Sequence, residues 1–120
     1  SALSLNSGNP EALFFLGRTQ LEVGRPAEAQ AAFEALKKQG LAAKQVYYFL
    51  GKSYGEQGKL AEAYYSLGLY YFLKRDFGNA RVHFTQALEK SQDTEQRKEI
   101  EARLKEIKDI QAALKQQKSN

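Results

Sequence analysis

The chain has 120 residues and a net charge of +4, from 18 basic and 14 acidic side chains, with one histidine and neither cysteine nor methionine. That length suits one domain, and no apolar run approaches the roughly 20 residues that a membrane-crossing helix needs. Without cysteine there are no disulfides and, with a single histidine, no zinc site of the usual kinds. Basic and acidic residues are interspersed, whereas a nucleic-acid binder concentrates its positive charge on one face.

The elements follow in order. Residues 1–8 are small and polar and read as a flexible lead-in without the basic start and apolar core of a signal peptide. A chain that opens at Ser1 and lacks methionine fits an excised or processed segment. Asn9 offers an N-cap and Pro10 a first helical position, which predicts a helix to about Val23, stopped by Gly24. A second helix is expected over about 26–39, ending after Lys37 and Lys38, whose charge suits a helix C-terminus. A third spans about 44–57 and ends at Gly58, a fourth about 60–74, and a fifth 77–90 behind Asp76 as N-cap.

Asp93 is expected to cap a longer helix over 93–118, with Gln96 three residues on in a box-like arrangement. Ile100, Leu104, Ile107, Gln111 and Leu114 give it one mainly apolar stripe, and Glu99–Arg103 and Glu101–Lys105 stand in favourable i,i+4 order. It reads as a cap with a polar outer face, or more sharply as a helix that docks on another protein. The connections are short, no strand pattern appears, and the expected fold class is all-α.

A repeat organises these helices. Gly17, Gly24, Ala29 and Phe33 each stand 34 residues before Gly51, Gly58, Ala63 and Leu67. The pattern Tyr47-x-x-Leu50-Gly51-x-x-Tyr54 recurs half a period later as Tyr64-x-x-Leu67-Gly68-x-x-Tyr71, followed by Ala80, Phe84 and Ala87. This spacing resembles the tetratricopeptide repeat, a 34-residue helix-turn-helix unit. The resemblance covers residues 10 to about 90, in frames 10–43, 44–77 and an overlapping, half-shifted 61–92, so residues 9–92 form the repeat region. It implies a solenoid of antiparallel hairpins, closed by the long last helix, in which helix 60–73 ends one repeat and begins another.

Such repeats are scaffolds for protein partners. In the family the second, fifth and ninth positions of each first helix face the concave groove, which implies Glu11, Phe14 and Arg18, then Gln45, Tyr48 and Lys52. Aromatic rings beside cations suit an extended peptide or a partner's loop. Phe14 and Arg18 depart from the lysine and asparagine of the chaperone-binding dicarboxylate clamp, so the acidic tails of heat-shock proteins are not the expected ligand. The fourth helix carries Tyr64, Tyr65, Tyr70, Tyr71 and Phe72, more rings than one face can hide. Tyr65, Tyr70 and Phe72 therefore form a second candidate interface.

A narrower resemblance joins the run from Leu50 through Gly58 to Leu67, the run Tyr70–Ala80 and the ending Glu101–Ile107. These look like the C-terminal part of BepA-like periplasmic zinc metalloproteases, which place a repeat domain after a HExxH catalytic domain. It implies a periplasmic address, partners among outer-membrane assembly proteins, and zinc in an upstream domain, since no HExxH lies here. This chain holds no catalytic, cofactor or metal residue that the sequence reveals, and His83 reads as a partly solvated helix residue. The rival readings are a free-standing cytoplasmic adaptor and, more weakly, an RNA binder.

Overall fold

The computed structural model describes residues 8–41 and 43–119. The lead-in expected over 1–8 lies outside it except for Gly8. Six helices follow one another: α1 (Pro10–Glu22), α2 (Pro26–Lys38), α3 (Lys44–Glu56), α4 (Leu60–Leu73), α5 (Phe77–Lys90) and α6 (Thr94–Ser119). Among the described residues there is no strand, and no helix is long and apolar enough to cross a membrane. The fold is an all-α helical solenoid, about 60 Å in its longest dimension, with a longer C-terminal helix.

Local chemistry starts and stops the helices. Asn9 Oδ1 accepts from the Ala12 N–H at 3.0 Å ahead of Pro10, and Asp76 Oδ1 accepts from the Asn79 N–H at 3.2 Å. Four turns then share one hydrogen-bond pattern. The N–H groups of Arg25, Leu41, Lys59 and Asp76 donate to the carbonyls of Gln20, Leu36, Tyr54 and Tyr71 at 2.7–3.0 Å, each five residues back. That closure requires a left-handed residue just before the donor. Gly24 (φ 77°), Gly40 (φ 74°) and Gly58 (φ 75°) supply it without a Cβ penalty, whereas the α4–α5 turn uses Arg75 at φ 63°. The α4–α5 turn thus copies the geometry of the α1–α2 and α3–α4 turns at a strained residue.

Helices pack mainly on their chain neighbours, and α1 also touches α3. The hairpins are fixed by glycines facing large side chains. A Cβ added at Gly17 would sit 2.6 Å from Phe33 Cζ, at Gly51 2.9 Å from Leu67 Cγ, and at Gly68 2.5 Å from Phe84 Cδ1. Two core clusters result. One gathers Leu13, Ala29, Phe33, Leu36, Val46 and Leu50 from α1–α3. The other gathers Phe77, Ala80, Phe84, Ala87, Ile100 and Ile107 from α5 and α6, with Tyr65, Tyr71 and Phe72 of α4 packed against it. Helix α4 meets α3 through Leu67 and α5 through Gly68, which is why it is apolar nearly all round.

The sixth helix corrects two expectations. Asp93 does cap it, its Oδ1 accepting from the Gln96 N–H at 2.9 Å, but the Gln96 side chain does not return to Asp93. Its Oε1 accepts from Ser91 Oγ at 2.5 Å and its Nε2 donates to Glu62 Oε1 at 3.2 Å, because α4 and the α5–α6 corner lie within reach. Nor do Glu99 and Glu101 pair with Arg103 and Lys105. Arg103 leans on Tyr65 and pairs with Glu106, and Lys105 pairs with Asp109 at 3.0 Å. Such exposed pairs contribute at most about 1 kcal/mol each, so burial of Ile100 and Ile107 is what docks α6.

The glycine contacts make a paired prediction. Gly68→Ala drives a methyl into the Phe84 ring and is expected to destabilise by about 1–3 kcal/mol despite better helix propensity. Gly55→Ala meets nothing closer than Ala63 Cβ at 3.9 Å and is expected to stabilise by about 0.5–1 kcal/mol. Urea unfolding of both variants measures the opposite signs.

Candidate protein-binding groove

Aromatic rings from four helices form a continuous row along one side of the array. Phe14 of α1 packs edge-on to Phe49 of α3, with ring centres 5.6 Å apart. Phe49 lies 5.2 Å from Tyr48, which lies 5.2 Å from Tyr70 of α4. Tyr70 meets Tyr71 at 5.1 Å, and Tyr71 meets the His83 ring of α5 at 4.8 Å. Three of these contacts are edge-on and two, Tyr48–Tyr70 and Tyr71–His83, are tilted; aromatic pairs of this kind add about 0.5–1.5 kcal/mol beyond area burial.

Cations lie over this row. The Arg18 guanidinium carbon stands 5.2 Å from the Phe49 ring centre, and Lys52 Nζ 5.9 Å from that of Tyr48. Lys74 Nζ stands 5.1 Å from the Tyr70 ring centre and 5.9 Å from that of Tyr71. Each contact is worth about 0.5–1 kcal/mol when exposed. The two α1 and α3 triplets expected from sequence are neighbours here, joined through Phe14 and Phe49. Arg18 and Lys52 stand over the row. Glu11, Phe14 and Gln45 line an apolar cleft of about 440 Å³ with Phe15, Leu36 and Leu41 at its wall. Phe14 is half-buried against Phe33 and Phe49, while Tyr48 keeps 37% of its surface in solvent.

The second candidate set is divided by the structure. Tyr70 joins the row beside Tyr48, but Tyr65 packs against Phe84 at 5.5 Å and reaches Arg103 of α6, and Phe72 packs edge-on to Phe77 at 5.5 Å. The reason is angular: Tyr65 and Phe72 are seven residues apart on one side of α4, and Tyr70 projects from another. Tyr65, Tyr70 and Phe72 therefore do not form one surface.

Sequence reasoning missed Phe49, Tyr71, Lys74 and His83 as members of the row. Lys74 follows Tyr70 by four residues and Tyr71 by three, a helical spacing that signals a shared face. His83 is half-buried, its Nδ1 2.8 Å from the Asn79 carbonyl, and no pattern in the sequence marks the contact of its ring with Tyr71. Among the described residues no three His, Asp or Glu side chains converge as metal ligands.

Models of the tetratricopeptide repeat match residues 61–94 and residues 10–35. This is a tetratricopeptide-repeat protein. No curated protein matches it. The match over 61–94 takes α4 as a first helix and α5 as its second, and α3 lies between the two matched segments. Tetratricopeptide repeats are protein-interaction modules, and nothing in this chain shows catalytic activity.

A polar seam joins α3 to α2. The Tyr54 hydroxyl donates to Glu34 Oε1 at 2.5 Å, and Gln57 Nε2 donates to Gln30 Oε1 at 2.8 Å, tying α3 to α2. Burial first, and then the Glu34 hydrogen bond, holds the Tyr54 hydroxyl well above the usual tyrosine range. Burial also pushes the Tyr65 hydroxyl up, opposed by its contact with Arg103. A folded value above the unfolded value of about 10 means stability that is complete below that pH and is lost as pH rises towards the folded value. The urea midpoint is thus expected to fall between pH 9 and about 11. Tyr54→Phe should start lower at pH 8, by about 1–2 kcal/mol, and fall less steeply.

Proposed function

We propose that this chain is the recruiting arm of a zinc metalloprotease encoded upstream, binding partners along the groove of Arg18, Tyr48, Phe49, Lys52, Tyr70 and Lys74. The observation that carries the binding role is the unbroken row of rings from Phe14 to His83 with cations over it. Rigid rings bind at low entropic cost, and the cations select carboxylates or carbonyls on the partner. The cleft beside Glu11, Phe14 and Gln45 offers a pocket of about 440 Å³ for one apolar anchor at the end of the row. An extended segment spanning cleft and row is the occupant that this shape favours.

The protease assignment is supported by the likeness of the Leu50–Leu67, Tyr70–Ala80 and Glu101–Ile107 phrases to the BepA-like repeat domain. It carries with it a periplasmic location and partners in outer-membrane protein assembly. Among the described residues no three His, Asp or Glu side chains converge to hold zinc, and the lone histidine makes a backbone contact and tilts against Tyr71. The metal would belong to the upstream domain. The second reading, a free-standing adaptor with a cytoplasmic address, is favoured by one observation: described residues of this chain line both row and cleft.

Replacing Tyr48→Ala together with Lys52→Glu removes one ring and reverses one charge at exposed positions. Peptide-array capture followed by anisotropy on the strongest binder should show a loss of about tenfold or more, about 1.4 kcal/mol, with helical content by circular dichroism retained and the thermal midpoint lowered only by the few degrees that two lost ring pairs imply. Undiminished binding would remove the groove from consideration. Reading the parent polypeptide upstream of Ser1 separates the two assignments: a HExxH segment supports the recruiting arm, and its absence leaves the adaptor.

A further inference from the structure

Away from the aromatic row, α5 and α6 leave between them an open cleft of about 460 Å³. Arg81 and Thr85 of α5 line one side, and Leu104, Lys108, Ala112 and Lys115 of α6 the other. We propose that this cleft is a second docking surface, which takes an acidic amphipathic helix from a partner protein.

Charge is the first argument. The ion pairs of α6 among the described residues are Glu95–Lys98, Arg103–Glu106 and Lys105–Asp109. Arg81, Lys108 and Lys115 take part in none of them, so three unneutralised cations surround the apolar floor of Leu104 and Ala112. Beyond Asp109, α6 carries Lys115 and Lys118 and no acidic residue as far as Ser119. Every α6 residue from Ala112 to Ser119 is exposed, and Leu114 keeps 41% of its surface in solvent. Basic residues around uncovered apolar surface are complementary to an acidic, apolar ligand.

Shape is the second argument. Lys108 and Lys115 stand seven residues apart, two helical turns and about 10.5 Å along α6. A helix lying in the cleft presents carboxylates at that same seven-residue spacing, with apolar side chains between them to cover Leu104 and Ala112. A strand repeats every two residues and cannot hold both registers at once. A nucleic-acid interface built on phosphate contacts has no use for an apolar floor. A flat anionic membrane does not fill a cleft between two helices.

The test uses two labelled 21-residue peptides with leucine at heptad a and d positions. One is flanked by glutamate, and in its twin every glutamate is lysine. Fluorescence anisotropy against the full chain at about 0.15 M salt should favour the glutamate peptide by tenfold or more. Arg81→Glu/Lys108→Glu/Lys115→Glu should abolish that preference, with helical content checked by circular dichroism, while Tyr48→Ala/Lys52→Glu retains it. Should the triple variant fail to fold, Lys115→Glu alone, on the exposed end of α6, should lower the preference at least threefold. Equal or absent binding of the two peptides overturns the proposal, as does a preference that survives the charge reversals. A dimer in sedimentation equilibrium that the same reversals dissociate would assign the cleft to a second copy instead. Capture by phosphatidylglycerol vesicles in preference to the peptide would assign it to lipid.

Discussion

The close approach of glycine to a large side chain, repeated at Gly17–Phe33, Gly51–Leu67 and Gly68–Phe84, is the constraint on which the other contacts depend. In each pair a helix gives up its Cβ so that a ring or branched chain of the next helix can lie against its backbone. Close packing of this kind tolerates little change in volume. It sets the distance between helices, and that distance decides whether Ala29, Ala63 and Ala80 can be buried at the same crossings. Two of the three pairs involve α4, once through Leu67 and once through the adjacent Gly68.

That double use has a consequence for the surface. A helix packed on α3 on one side and on α5 on the other must be apolar in several directions, and α4 spends its aromatic residues accordingly. Tyr65 and Phe72 face the C-terminal cluster, and Tyr70 faces Tyr48. The Tyr48–Tyr70 contact is where a row begun in the first cluster crosses to the second. The candidate groove is therefore a by-product of how α4 packs on α3 and α5 at once. It spans both hairpin contacts of α4 instead of lying within one.

Polar contacts join neighbouring elements at two places in the array. Tyr54 to Glu34 and Gln57 to Gln30 fasten α3 to α2. At the far end Gln96 joins Ser91 to Glu62, and Arg97 Nη1 donates to the Leu88 and Ser91 carbonyls at 2.6 and 3.0 Å, closing α5 as α6 begins. Each bond is modest in net worth, but those that are half-buried would be costly to leave unmade. They specify the corner more than they stabilise it.

The sequence by itself determined the helices, their ends and the repeat, because all three depend on residues close in the chain. Caps at Asn9, Asp76 and Asp93, glycine at Gly24 and Gly58, and the 34- and 17-residue spacings are local signals of that kind. It also named Phe14, Arg18, Tyr48 and Lys52, which the fold brings to one face. Only the tertiary structure decided which tyrosines of α4 stay with the core and which join the row, and that His83 ends it. The same holds for Gln96, which turned to Ser91 and Glu62, and for Arg103, which turned to Tyr65 and Glu106. A side chain's partner on another helix depends on the angle and distance at which the helices cross. Those are set by how every glycine and large residue in the array packs at once, which no window of sequence contains.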